Sequence, residues 1–287
     1  MPNWLFISLL VIIVLIFVVV FASTVANNLF EQNAKKEVSR LLSNIPEQKN
    51  DYLQEEDLTG LPDPVQRWLE STNIIGKKKI ISVRLKQTGR MRTTIDGRWM
   101  EASAEQYFRI DEPEFVWKAK VKMAPLFSLA GLDRYSNGKG KMSIKLLSLF
   151  PVVDAEGPEI DQGTLLRYLG EMPWFPSAAL SPYIKWDSID VNNAKATMSY
   201  KGVSASGVFT FNANGDLVQF FAKRYREVKG KYELMDWGGV TKEVKEVNGI
   251  RIPTKSDIIW KEETGDFKWF ECEIAAIEYN KPEDVLA

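Results

Sequence analysis

The 287 residues carry 37 Lys plus Arg against 38 Asp plus Glu, a net charge of −1, so no global field points to nucleic acid. The chain has no histidine, which excludes Ser-His-Asp and Cys-His catalysis, His-ligated zinc and imidazole acid–base chemistry. Any enzyme here works with carboxylates, Lys, Tyr or a carboxylate-bound hard metal, and the lone Cys272 forms no internal disulfide.

From Leu5 to Phe21 every residue except Ser8 is Leu, Ile, Val or Phe, a stretch that favours the bilayer by roughly 5–10 kcal/mol. A helix over Trp4–Ala22 spans about 28 Å, close to the ~30 Å hydrocarbon core. The competing reading is a cleaved signal peptide, with Thr24-Val25-Ala26 as its cleavage site. Against it, the run exceeds the usual signal core of about 7–15 residues, and no Lys or Arg precedes it. A retained single-pass anchor over residues 1–30 is the expectation, and with no Cys behind the helix a lipoprotein-type anchor is excluded. Lys35, Lys36 and Arg40 favour a cytoplasmic domain by the positive-inside rule, a bias that the interleaved Glu31 and Glu37 weaken.

Val38, Leu41, Leu42 and Ile45 recur at helical spacing, and Pro46 to Asp57 reads as a linker; residues 31–57 form a juxtamembrane segment. A β-rich globular domain is expected over 58–287. In Leu61-Pro62-Asp63-Pro64-Val65-Gln66, Asp63 is the expected helix cap, Pro64 suits the first helical position and Gln66 has capping-box spacing. From Lys78 onward the period is two. Phe115, Trp117, Ala119, Val121 and Met123 alternate with a ladder of Lys118, Lys120 and Lys122. Met100, Ala102, Ala104, Phe108 and Ile110 share one face of another strand. Asp96-Gly97, Asn137-Gly138, Asn214-Gly215, Asn248-Gly249 and Gly265-Asp266 mark tight turns between such runs. The pattern predicts a mainly β (α+β) fold: ten to twelve strands in a curved antiparallel sheet or half-barrel. It packs with one or two helices, one of them capped by Asp161 and running from Gln162 to Met172.

Few motifs carry chemistry. Gly138-Lys139-Gly140-Lys141 lacks the spacing of a phosphate loop and reads as a hairpin turn. The lysine ladder is a candidate for anionic headgroups or a solvated strand face that protects an edge. Arg167 and Glu171, four apart, read as an exposed helical pair or as a polar clamp at a cavity mouth. Asp133, Tyr135 and Arg224 stand beside apolar runs. Neighbouring acids such as Asp154/Glu156 and Glu262/Glu263 arise by chance among 38, so no catalytic residue, cofactor or metal is assigned. Nine Trp, combined with small residues on alternating strands, leave two readings open: a packed core or an apolar cavity.

The segments LPDPVQRWL, FVWKAK, DRYSNGKG and above all RYLGEMPWFPSAAL resemble a family of uncharacterised, membrane-anchored bacterial proteins known as a domain of unknown function. The resemblance spans about residues 58–280 and places its pattern on Asp133, Tyr135, Arg167, Tyr168, Glu171, Trp174 and Pro176. The C-terminal half, with VNGIRIPTK and two strands, is similar to the LolA-like lipoprotein-carrier fold. That likeness implies a half-barrel that holds acyl chains outside the cytoplasm. Together these readings lead to a cell-envelope domain whose partners are the membrane and a lipid or other apolar ligand. Its expected ligand-binding residues are Trp99, Trp117, Asp133, Tyr135, Arg167, Tyr168, Glu171 and Trp174. A histidine-free, carboxylate-dependent enzyme and a structural or partner-binding module are the alternatives.

Overall fold

One helix, α1 (Asn3–Ser43), runs without a break from the apolar run into the folded domain. The computed structural model describes residues 3–43, 45–46 and 51–282; residues 47–50 of the expected linker lie outside the described residues. Leu5 to Phe21 is exposed throughout, and the helix is long and apolar enough to cross a membrane. Its second half behaves differently. Phe30, Ala34, Val38, Leu41 and Leu42, spaced one turn apart, are buried against Tyr107, Val116, Ala130 and Leu132 of the sheet.

The sheet follows from the alternation in the sequence. Its first six strands are β1 (Ser82–Met91), β2 (Met100–Arg109), β3 (Glu114–Ala124), β4 (Phe127–Ser136), β5 (Lys139–Leu146) and β6 (Phe150–Glu156). After three helical segments come β7 (Ile184–Ser188), β8 (Asn193–Tyr200), β9 (Val203–Phe211) and β10 (Leu217–Val228). The long strands β11 (Lys231–Val247), β12 (Ile250–Glu262) and β13 (Gly265–Tyr279) complete it. All thirteen join in one open antiparallel sheet, ordered 6-5-4-3-2-1-13-12-11-10-9-8-7. The count exceeds the ten to twelve expected, because a five-residue edge strand such as β7 is too short to show alternation. Asn137/Gly138, Lys201/Gly202, Lys229/Gly230 and Asn248/Gly249 all have positive φ at both central turn positions, the geometry whose twist suits hairpins.

Antiparallel pairing puts Met91, Ala124, Leu146, Glu262 and Val228 at one end of the sheet, its lower end. The turns β3–β4 and β5–β6 lie there too. α1 is pinned to this end. Ser23 Oγ donates to Leu147 O at 2.9 Å, and Ser148 Oγ donates to Asn27 Oδ1 at 3.1 Å. Leu147 and Ser148 both hold positive φ without being glycine, so these bonds help to support a strained turn. Lys118 Nζ reaches Glu31 at 2.8 Å, and Arg40 Nη1 donates to Ser136 Oγ farther up. The lysine ladder therefore lies on the convex face, beside α1.

Two further helices close the other side. α2 (Asp63–Ser71) buries Val65, Trp68 and Leu69, with Trp68 stacked 5.6 Å from Phe211. Pro62, not Asp63, holds its cap position, and Gln66 Nε2 donates to Leu61 O instead of completing a capping box. α3 (Pro158–Glu171) starts four residues before the expected Gln162, since Gly157 at φ 125° breaks the strand and Pro158 begins the helix. Asp161 sits inside it, accepting from Gly140 N–H and Lys139 Nζ. α3 touches β5 and β9, which lie near opposite ends of the strand order, so the sheet curls around it.

Close approach at one point is set by glycine. A Cβ at Gly170 would lie 2.7 Å from the buried Phe220 ring. Gly170→Ala forces that ring aside, and we expect it to destabilise the domain by about 1–3 kcal/mol, read by thermal or chemical denaturation. An unchanged melting point would show that the contact is slack.

Candidate functional site

Beneath α3 the concave face does not close. A cavity of about 490 Å³ remains, within the roughly 300–1,000 Å³ of ordinary ligand sites. Its walls are apolar: Trp117, Val121 and Ile144 on one flank, Phe220, Trp237 and Ile258 on the other. Partly exposed Met91, Val153 and Trp260 stand at the lower strand ends, so the cavity opens in that direction.

A buried ion network forms its roof. Arg167 Nε donates to Glu171 Oε1 and Arg167 Nη1 to Asp133 Oδ2, both at 2.8 Å. Only 13% of the Arg167 side chain is exposed, and its guanidinium lies 4.6 Å over the Trp117 ring. Gln106 Nε2 takes the second Glu171 oxygen at 2.7 Å, and Trp117 Nε1 donates to Gln87 Oε1 at 2.8 Å. Burial pushes the Asp133 carboxyl up despite the attraction of Arg167 and Arg224. Burial opposes the Arg167 charge, yet Glu171 and Asp133 more than offset it and hold the group above its ordinary value. Cys272, on the cavity wall, has its thiol pushed up by burial and by Glu171, so it stays a neutral thiol.

The pair Arg167–Glu171 is therefore not an exposed helical pair. The sheet wraps α3 so far that its polar stripe faces inward as well as its apolar one. Leu165, Leu166, Tyr168, Leu169 and Met172 fill the core on the other side. Of the residues expected to bind a ligand, Trp117, Asp133, Arg167, Glu171 and Trp174 line this one cavity. Trp174 also donates from Nε1 to Pro253 O at 3.1 Å. Tyr168 and Tyr135 are core residues: Tyr168 OH donates to Arg109 O, and Tyr135 is fully buried. Trp99 lies outside the cavity, stacked under Arg90, Arg92 and Lys268 at the lower rim.

Gln87, Gln106 and Arg224 also belong to this site, and a parity signal marks them. Gln106 is the polar member of the inward series Met100, Ala102, Ala104, Phe108. Arg224 follows Phe220 and Ala222 on the inward face of β10 in the same way. A polar residue on the core parity of a strand has to find a partner inside.

Residues 51–272 match the family of unknown function DUF6544, and the chain belongs to that family. No protein of curated function matches it. Among solved structures, a DUF1329 family protein from Desulfovibrio piger aligns at 9% identity and TM-score 0.41, over 76% of this chain and 91% of that one. A putative outer membrane lipoprotein-sorting protein domain from Vibrio parahaemolyticus aligns at 8% and 0.41, over 69% and 85%. A β-barrel-like protein of DUF1849 from Brucella abortus aligns at 8% and 0.28, over 70% and 98%.

Removing the shared cation tests the network. Arg167→Met leaves Asp133 and Glu171 buried without their partner, and we expect a loss of about 3–5 kcal/mol at neutral pH. Asp133, already raised, would bind its proton more tightly when folded than unfolded. Stability then falls as pH rises through that window, so the variant's deficit shrinks in acid. Denaturant melts at pH 5 and pH 8 check this; a deficit independent of pH would remove Asp133 from the account.

Proposed function

We propose that this DUF6544 member is a single-pass, membrane-tethered domain that holds a lipid or other apolar molecule in the cavity under α3. The observation that carries the reading is the cavity itself: about 490 Å³, walled mainly by aromatic and aliphatic side chains, with the Arg167 ion network at its roof and Glu159, Arg224, Arg226 and Glu227 also on its lining. Its placement supports the membrane as the ligand's source. Ser23, two residues beyond the apolar run, is bonded to the β5–β6 turn at the lower end, where the cavity opens. The tips beside it are apolar and exposed: Leu126 at 79%, Phe127 at 50% and Phe150 at 51%. Such a fringe on a bilayer-proximal rim suits contact with the interface rather than with bulk water.

A carboxylate-dependent enzyme draws on Asp133, whose pKa is raised and whose Oδ1 is buried without a hydrogen bond. Glu171, the acid beside it, has both oxygens engaged, by Arg167 and by Gln106. Acid–base work needs a group free to reach substrate, so the arrangement favours binding.

The full-length protein in amphipol should bind the neutral dye Nile red, with an increase in fluorescence. Ala155 is half-buried on the edge strand β6 and lines the cavity. Ala155→Trp should fill the space and weaken dye binding while the fold is retained; undiminished binding would place the dye elsewhere. We also propose that the domain lies on the extracytoplasmic side, in the cell envelope. Glu37 and Ser136 engage Arg40, which reduces the charge bias toward the cytoplasm. Alkaline phosphatase fused after residue 282 should be active in cells, and an inactive fusion would reverse the orientation.

A further inference from the structure

The cavity holds a cation that the ion network does not use. Arg224 projects from β10 beside Phe220 and Ala222, under α3. Among the described residues it has no hydrogen bond and no carboxylate within ion-pair reach. The contrast with its neighbours is sharp, for Arg226 is paired with Glu262 at 2.6 Å and Arg167 holds two carboxylates. The Arg224 guanidinium stacks 4.5 Å over Trp237. Gly163 of α3 faces it, and a Cβ there would meet Nε at the ordinary contact distance of 3.4 Å. Arg167 also has capacity to spare: Nε and Nη1 are engaged, whereas Nη2 has no partner among the described residues.

We propose that Arg224, with the unused edge of Arg167, seats the anionic head group of a single-chain amphiphile, carboxylate or phosphate, whose chain runs along the apolar walls. This rests on the cavity reading above. Planar guanidinium forks suit such oxygens, and a charged hydrogen bond gains strength in a water-poor site. Arg224 is half-buried and its nitrogens have no carboxylate partner, so a ligand oxyanion supplies the pairing that the protein leaves open. Burial, and next the charge of Arg167, pull the Arg224 group down to about 10. The two guanidiniums therefore act on each other across the site, and the group stays charged at neutral pH. Asp133 and Glu171 attract the Arg224 charge but form no ion pair with it: the free Asp133 oxygen is buried, and both Glu171 oxygens are taken.

The test compares three probes of one chain length, hexadecanoate, hexadecyl phosphate and hexadecanol, on the full-length protein in amphipol. We expect the better anion to bind about tenfold or more tightly than the alcohol. The ranking of the two anions tells a free fatty acid from a phosphate head group. Arg224→Leu should abolish the anion preference, with Nile red reporting whether the cavity is still formed, and Arg224→Lys should keep part of the preference. Should the Leu variant fail to bind Nile red, the Lys variant decides: an undiminished preference there, like one retained in the Leu variant, overturns the proposal. Equal binding of alcohol and anions by the native chain, with Nile red bound, overturns the proposal and leaves the cavity reading standing. If neither the dye nor any probe binds, the cavity reading falls too.

Discussion

A fourteen-residue helix lies in the concavity of a thirteen-stranded sheet, and most of the structure follows from that disproportion. An antiparallel sheet of this width twists and curls, and its inward side chains need something to pack on. α3 and the short turns after it fill the upper part, where the Phe108 ring centre lies 4.6–6.0 Å from those of Phe115, Tyr168 and Phe175. Among the described residues no helix enters the lower part of the concavity, so the walls there stand apart and leave the cavity. The space is the remainder of an otherwise ordinary packing problem.

That remainder explains the polar roof. Where α3 faces the unfilled part of the concavity, its residues are neither in water nor in a closed core. Arg167 and Glu171 occupy that boundary and are held by Asp133, Gln106 and the Trp117 ring. Removing one member of such a network leaves the others as uncompensated buried charge. The RYLGE segment thus has two duties on adjacent turns. Tyr168 and Leu169 complete the core, Arg167 and Glu171 face the cavity, and Gly170 lets Phe220 reach the helix.

The helix that could cross the membrane is also a structural element of the domain. Phe30, Ala34, Val38, Leu41 and Leu42 bury one side of it on the convex face, and Ser23, Asn27 and Glu31 bind the sheet by their side chains. An unbroken α-helix is stiff over this length, so the apolar run and the domain hold a set relative direction. The lower end, with its exposed Leu126, Phe127 and Phe150, is the end nearest the apolar run.

Much of this was legible in the residues. The N-terminal apolar helix, the β-rich class, the tight hairpins, the inward face of β3 and the body of α3 from Gln162 all rest on local periodicity and turn chemistry, which the chain carries in each short window. Lengths of elements at the margins, such as β7 and the first turn of α3, were not, because edge strands are short and Gly157-Pro158 overrode the cap offered by Asp161. What only the tertiary structure decided is which partners meet. Spacing alone left Arg167 and Glu171 as either an exposed pair or a clamp at a cavity mouth; the sheet's curl turned them inward onto Asp133, 34 residues away. The same curl placed Trp117 and Trp174 on the cavity and left Trp99 outside it, and it set Arg224 inside without a carboxylate. Local sequence determines which face of a strand a residue joins; curvature accumulated over thirteen strands determines what that face meets.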